Sequence, residues 1–213
     1  MNIPVFIIEL ICFMASLTLF TRETTPRYLR LFTVFLLITI VVESGSAKLE
    51  ADGLDIIPIY NIFTAFEFEF YLLMIRFIVH SRRVKKIMLW LLLIYPVLVL
   101  LNVMFVQQGY FHTYTYSVGC VLVVASSMYY FFEIFRLPTS VNLVREPAFW
   151  LCTALLFYYC CTFTCVGLWN QMDGLPKVIL NNVSNILTIL NFLLYSLFSI
   201  AFLCHIRIRK HAL

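Results

Sequence analysis

The sequence predicts an all-α polytopic membrane bundle, one transmembrane helical domain over residues 1–213 with about seven spans, and three observations support it. Apolar residues make up 62% of the 213 and charged residues 12%, with a mean hydropathy of +0.94, whereas an average soluble domain carries roughly 25% charged residues. Seven windows each approach the about 20 apolar residues needed to cross a hydrocarbon core. The basic residues gather in the short links between those windows.

The first window, 3–21, has no basic residue before it and is followed directly by Arg22. It therefore reads as a helix inserted with its N-terminus outside, and not as a cleaved signal. Windows 29–47, 56–79, 87–106, 114–135, 148–170 and 178–205 follow. Thr25-Pro26 ends the first link, Asp52-Gly53 turns between the second and third windows, and Asp173, Gly174, Leu175 and Pro176 precede the last. Pro96 marks a kink in the fourth. Alternating the windows across a bilayer puts 13 of the 15 Lys and Arg residues on one side, against only Lys48 and Lys177 on the other. The positive-inside rule then places the N-terminus outside and the C-terminus in the cytoplasm. The net charge of +4 is thereby assigned to topology and to contact with the lipid bilayer, and not to nucleic acid.

Charged residues at membrane depth cost about 2.5–3.5 kcal/mol each on insertion scales and tend to face the bundle interior. Glu9, Glu43, Glu67, Glu69 and Glu133 are the acidic residues so placed. In the third window Tyr60, Thr64, Glu67 and Tyr71 recur at helical spacing and form one stripe. Glu69 points away from it and shares a face with Arg76, a candidate structural pair. A longer stripe runs along the seventh window through Asn181, Ser184, Asn185, Thr188, Asn191, Tyr195 and Ser199, which reads either as interhelical hydrogen bonding or as a wall of a solvated cavity shared with the Glu67 stripe. Glu9 with Cys12 and Ser16, and Glu43 with Thr39 and Ser46, are interior-type faces of the first two windows. The expected ligand- or ion-binding set is accordingly Glu9, Glu43, Tyr60, Thr64, Glu67, Tyr71, Asn181, Asn185, Thr188 and Asn191, around an outward-opening acidic cavity. Trp169, Asn170 and Gln171 would form its rim, and Glu133 would snorkel to the cytoplasmic interface.

Neither a metal nor a cofactor is expected. Seven cysteines, without CxxC spacing, lie in apolar runs, and Cys161 and Cys165 share a helix face without a histidine nearby. His80, His112, His205 and His211 lie in or near loops, which disfavours a shared histidine site, and neither HExxH nor GxSxG occurs. The seventh window lacks the lysine that carries retinal in rhodopsins, and Asn191 to Tyr195 is not the NPxxY pattern of G-protein-coupled receptors. The stretches YNIFTAFEFEFYLL (60–73) and NILTILNFLLYSLFSIAFLC (185–204) resemble parts of small uncharacterised bacterial seven-helix membrane proteins. That resemblance implies the architecture and a location in the bacterial cytoplasmic membrane, but no mechanism.

Three functions are weighed. The first is a sensory or ligand-binding protein whose outer cavity takes a small ligand and which signals through a separate cytoplasmic partner, with the basic segment from His80 to Lys86 as a contact or as a site for anionic lipid. The second is a proton- or cation-coupled transporter or channel using Glu67 with Glu9 and Glu43. Against it stand the lack of an internal repeat and of a broken helix pair. An intramembrane enzyme is the least favoured, since no intramembrane Asp or His constellation exists.

Overall fold

A computed structural model describes residues 3–19, 25–136, 143–167 and 176–210, and every regular element among them is helical. Seven α-helices follow in order: α1 Ile3–Leu17, α2 Arg27–Ala51, α3 Ile57–Ile78, α4 Arg82–Leu101, α5 Thr113–Arg136, α6 Pro147–Gly167 and α7 Lys177–Lys210. α4 continues into a π-helical turn, Asn102–Val106, and a short 3-10 turn, Leu143–Arg145, precedes α6. Five helices, α2, α4 with its π turn, α5, α6 and α7, are long and apolar enough to cross a membrane. They make the chain an integral multi-pass membrane protein. The described part of α1 is 15 residues, and α3 is diluted by Asn61, Glu67, Glu69 and Arg76. The count that length and composition support is therefore five of the seven windows.

Local chemistry explains the helix boundaries. Pro26 sits in extended backbone before α2, where its missing N–H costs nothing. At the other end Gly53, at φ +76°, donates to Glu50 O while Leu54 donates to Leu49 O at 3.0 Å. This paired closure is a Schellman motif, and its left-handed position suits glycine. Asp55 then accepts the Ile57 N–H at 2.9 Å, and Pro58 occupies the first turn of α3.

Six helices close a ring in the order α1, α2, α3, α5, α6, α7, and α7 returns to α1. α4 stands outside it against α3 and α5. The outward surface is apolar, with Ile7, Ile11 and Met14 on α1, Val118 and Val121 on α5, and Trp90, 65% exposed, on α4. Such a surface is compatible with lipid contact. Inside the ring, aromatic side chains fill the middle. Phe35 stacks on Phe70 with centroids 4.2 Å apart, and Phe32 meets Phe198 edge-on at 4.7 Å. Phe32, Phe68, Tyr71, Tyr159, Phe198 and Phe202 are all fully buried. Lipid tails are as apolar as these rings, so dispersion and interhelical hydrogen bonds hold the helices together, with little hydrophobic drive. One such bond joins α2 to α1, where Thr33 donates to Ser16 O at 3.2 Å.

Candidate functional site

Within the ring, at the end that carries the N-terminus, lies a cavity of about 160 Å³. α1 contributes Val5 and Glu9 to its wall, α2 Thr39 and Glu43, and α3 Tyr60, Phe63, Thr64 and Glu67. Tyr116 of α5, Tyr158 of α6, and Asn191 and Tyr195 of α7 complete it. Three carboxyl groups thus converge from three helices, and among the described residues no Lys, Arg or His lines the space. Helical spacing is the cause on α3, since Tyr60, Thr64 and Glu67 fall one turn apart on one face. Tyr60 donates to Glu43 Oε2 at 3.4 Å. Glu9 is only 3% exposed and lies beside the Tyr195 hydroxyl. Glu67 lies near the hydroxyls of Tyr71 and Tyr159, yet the fully buried Tyr159 Oη has no partner at hydrogen-bond distance.

Of the residues expected from sequence to bind, Glu9, Glu43, Tyr60, Thr64, Glu67 and Asn191 line this one cavity. Tyr71 lies under it, 1% exposed in the aromatic floor. Thr188 is half-buried and donates to Ser184 O at 2.9 Å. Asn181 and Asn185 are exposed, on a first stretch of α7 (178–186) that has no buried side chain. The polar stripe of α7 continues in helical phase past the depth at which neighbouring helices cover it, so only its lower part reaches the cavity. Trp169, Asn170 and Gln171 lie outside the described residues.

Glu69 and Arg76 form no ion pair. Arg76 Nε donates to the Lys85 carbonyl at 3.2 Å, and Glu69 Oε1 is buried without a hydrogen-bond partner. Seven residues of helix separate the two by about 10.5 Å along the axis, and the chain turning into α4 supplies a nearer acceptor. Glu133 does not extend freely to the interface either. Its carboxylate accepts the backbone N–H groups of His80 at 2.7 Å and Ser81 at 2.8 Å, and the His80 ring lies 3.6 Å away. It thereby satisfies orphan donors at the start of α4, where the helix dipole also favours a negative charge.

A second polar cluster was hidden from the sequence reading. His112, wholly buried just before α5, lies 2.7 Å from Thr64 Oγ1 through Nε2 and 2.8 Å from Thr115 Oγ1 through Nδ1. Thr64 donates to the Tyr60 carbonyl at 2.7 Å, so its oxygen accepts from Nε2–H and Nδ1 accepts from Thr115. The His112 backbone N–H donates to Asn61 Oδ1, whose amide donates in turn to the Tyr110 carbonyl. Asn102, in the π turn, donates to Gln107 Oε1 at 2.8 Å and to Thr115 at 3.2 Å, and Gln107 donates to Thr113 at 2.8 Å. Burial holds the imidazole pKa down at about 4, because the charged ring would lose its water. The network ties α3, the end of α4 and the start of α5 together, and Thr64 belongs both to it and to the cavity wall. The available signal was the density of Asn, Gln, His and Thr between 102 and 115 at a window's end.

Comparison with family models, with curated proteins and with solved structures gives no match. The chemistry of the site is therefore read from its own residues, and the resemblance of 60–73 and 185–204 assigns no family.

Proposed function

We propose that the chain is a membrane-embedded ligand-binding protein of the sensory kind, which takes a small cation into its acidic cavity. The observation that carries this reading is the convergence of Glu9, Glu43 and Glu67 on one space that no described Lys, Arg or His side chain lines. Tyrosine faces on the same wall favour a cation further. In this reading seven helices span the cytoplasmic membrane of a bacterium, with the N-terminus outside, and the 13-to-2 division of basic residues sets the orientation. The cavity then opens outward, with the exposed Glu50, Asp52 and Asp55 at the same end to draw cations in. Arg82, Arg83 and Lys86, exposed on the first turns of α4, offer a contact for a separate cytoplasmic signalling partner.

Coupled transport through the same glutamates is the second reading, favoured by the carboxyl cluster itself. Sensing is preferred because Tyr71, Tyr159, Phe68, Phe32, Phe198 and Phe202 fill the ring beneath the carboxyls, and because the six lining helices run unbroken. In nanodiscs, tetramethylammonium should raise the melting temperature of the wild type, with a stabilisation of about 2.7 kcal/mol at one hundred times Kd. Glu67→Gln should abolish the rise, and proteoliposomes should show no cation flux. A wild type indifferent to cations would overturn the reading, whereas flux lost in Glu67→Gln would establish transport.

A further inference from the structure

Next to the acidic cavity lies a larger one of about 480 Å³, lined chiefly by Ile56, Ile57, Phe111, Val166 and Leu187. Tyr60, Thr64 and Tyr116 are walls of both. Helix register gives the order of the two in depth. Ile56 and Ile57 precede Glu67 by ten or more residues on α3, Leu187 precedes Asn191 by one turn on α7, and Val166 follows Tyr158 by two turns on α6. On each of these helices the apolar residues are nearer the end of the bundle that carries the N-terminus, and Glu67, Asn191 and Tyr158 of the acidic cavity are deeper. An inorganic cation passing that way would shed water against hydrocarbon walls with nothing in exchange. A molecule with a charged head and an apolar body would match both compartments at once.

Resting on the cation reading above, we infer that the ligand is a single-chain cationic amphiphile, an amine or quaternary ammonium whose head sits among Glu9, Glu43 and Glu67 and whose apolar body fills the adjoining cavity. Glu9 is buried, lines the space and has no ion-pair partner among the described residues, so the natural complement of its carboxylate is a cation. Tyr60 and Tyr116, shared by the two cavities, can bear on an ammonium group at the neck with their ring faces.

The test is a chain-length series in nanodiscs, tetramethylammonium against butyl-, hexyl- and octyltrimethylammonium, with 1-alkanols of equal length as uncharged controls. Affinity should rise about fourfold for each methylene that enters the apolar cavity and then level off, and the alkanols should show no comparable series. Leu187→Trp, which fills the apolar cavity, should flatten the slope, and Val166→Phe serves if that variant fails to fold. Partition into the bilayer is common to all variants, so the difference between them reads the site. Equal affinity across the series would overturn the amphiphile while leaving the cation reading intact. Failure of every ammonium to bind would overturn both, and a slope unchanged in both filled variants would place the chain elsewhere and overturn the assignment.

Discussion

Gly119 of α5 packs directly against Phe68 of α3 and Tyr95 of α4, and replacing it with alanine sets two effects of opposite sign against each other. Helix propensity favours Ala over Gly by about 1 kcal/mol. A Cβ at this position would lie 2.7 Å from Phe68 Cδ2, 2.7 Å from Tyr95 Oη and 2.8 Å from Phe68 Cε2, about 1 Å inside ordinary carbon contact. Neither ring has room to withdraw. Phe68 is fully buried, with the rings of Tyr159, Tyr116 and Tyr95 at 5.1, 5.2 and 5.8 Å, and the Tyr95 hydroxyl donates to the Thr115 carbonyl at 3.2 Å. Overpacking of this kind costs about 1–3 kcal/mol, and three contacts under 3.0 Å belong at the upper end of that range, so after the propensity gain the net loss should reach about 2 kcal/mol. For a chain of this size that lowers the melting temperature by several degrees. Thermal unfolding in detergent, followed by tryptophan fluorescence, measures it. Phe68→Leu in the same chain should make the alanine less harmful than it is alone, as expected for residues in contact. A Gly119→Ala protein that melts at or above the wild-type temperature would refute the account of a packed helix crossing.

Two further outcomes concern the polar ties. Because the folded pKa of His112 lies at about 4, below its ordinary 6.5, protonation favours the unfolded chain. Stability should be full above about pH 6.5, fall as the pH drops from there to about 4, and lose about 3 kcal/mol in total; His112→Asn should show a shallower acid dependence in melts from pH 7 to 4. Glu133→Gln keeps only one acceptor for the His80 and Ser81 N–H groups, and a hydrogen bond to a charged group contributes about 1.5–3 kcal/mol. Hydrogen exchange at the start of α4 should accelerate in that variant, while exchange in α7 should stay as it was.

The features that depend on local spacing were legible in the sequence. Tyr60, Thr64 and Glu67 share a face because the helical period alone requires it, and Gly53 closes α2 because its turn needs a left-handed residue. What depends on where other helices stop was not legible. Asn181 and Asn185 obey the same phase as Asn191 but stand beyond the packed part of the ring, and phase carries no information on depth. The cluster around His112 escaped because its members come from residues 61–64, 102–107 and 112–115, which no single periodicity connects. The partners of Glu133 and Arg76 were not legible for a related reason: each bonds to the backbone of the 80–85 segment, and backbone partners leave no mark in residue type. The exclusion of α4 from the ring likewise has no signature in the chain.

The position of α4 has a consequence for how the chain enters the bilayer during synthesis. In the seven-span arrangement proposed above, α3, which brings Glu67 to the site and carries Glu69 besides, is one of the two helices that do not qualify as spans by their own length and composition. The helix that follows it is the most apolar of the five that do, and it keeps little of its surface for the rest of the bundle. Only residues 79–81 separate them, so the insertion machinery meets a helical hairpin, and the strong second arm draws in the weak first one. Glu133, arriving later with α5, then clasps the bend of that hairpin. In that arrangement a helix at the margin of the ring would be the escort that lets an acidic one lie inside the membrane.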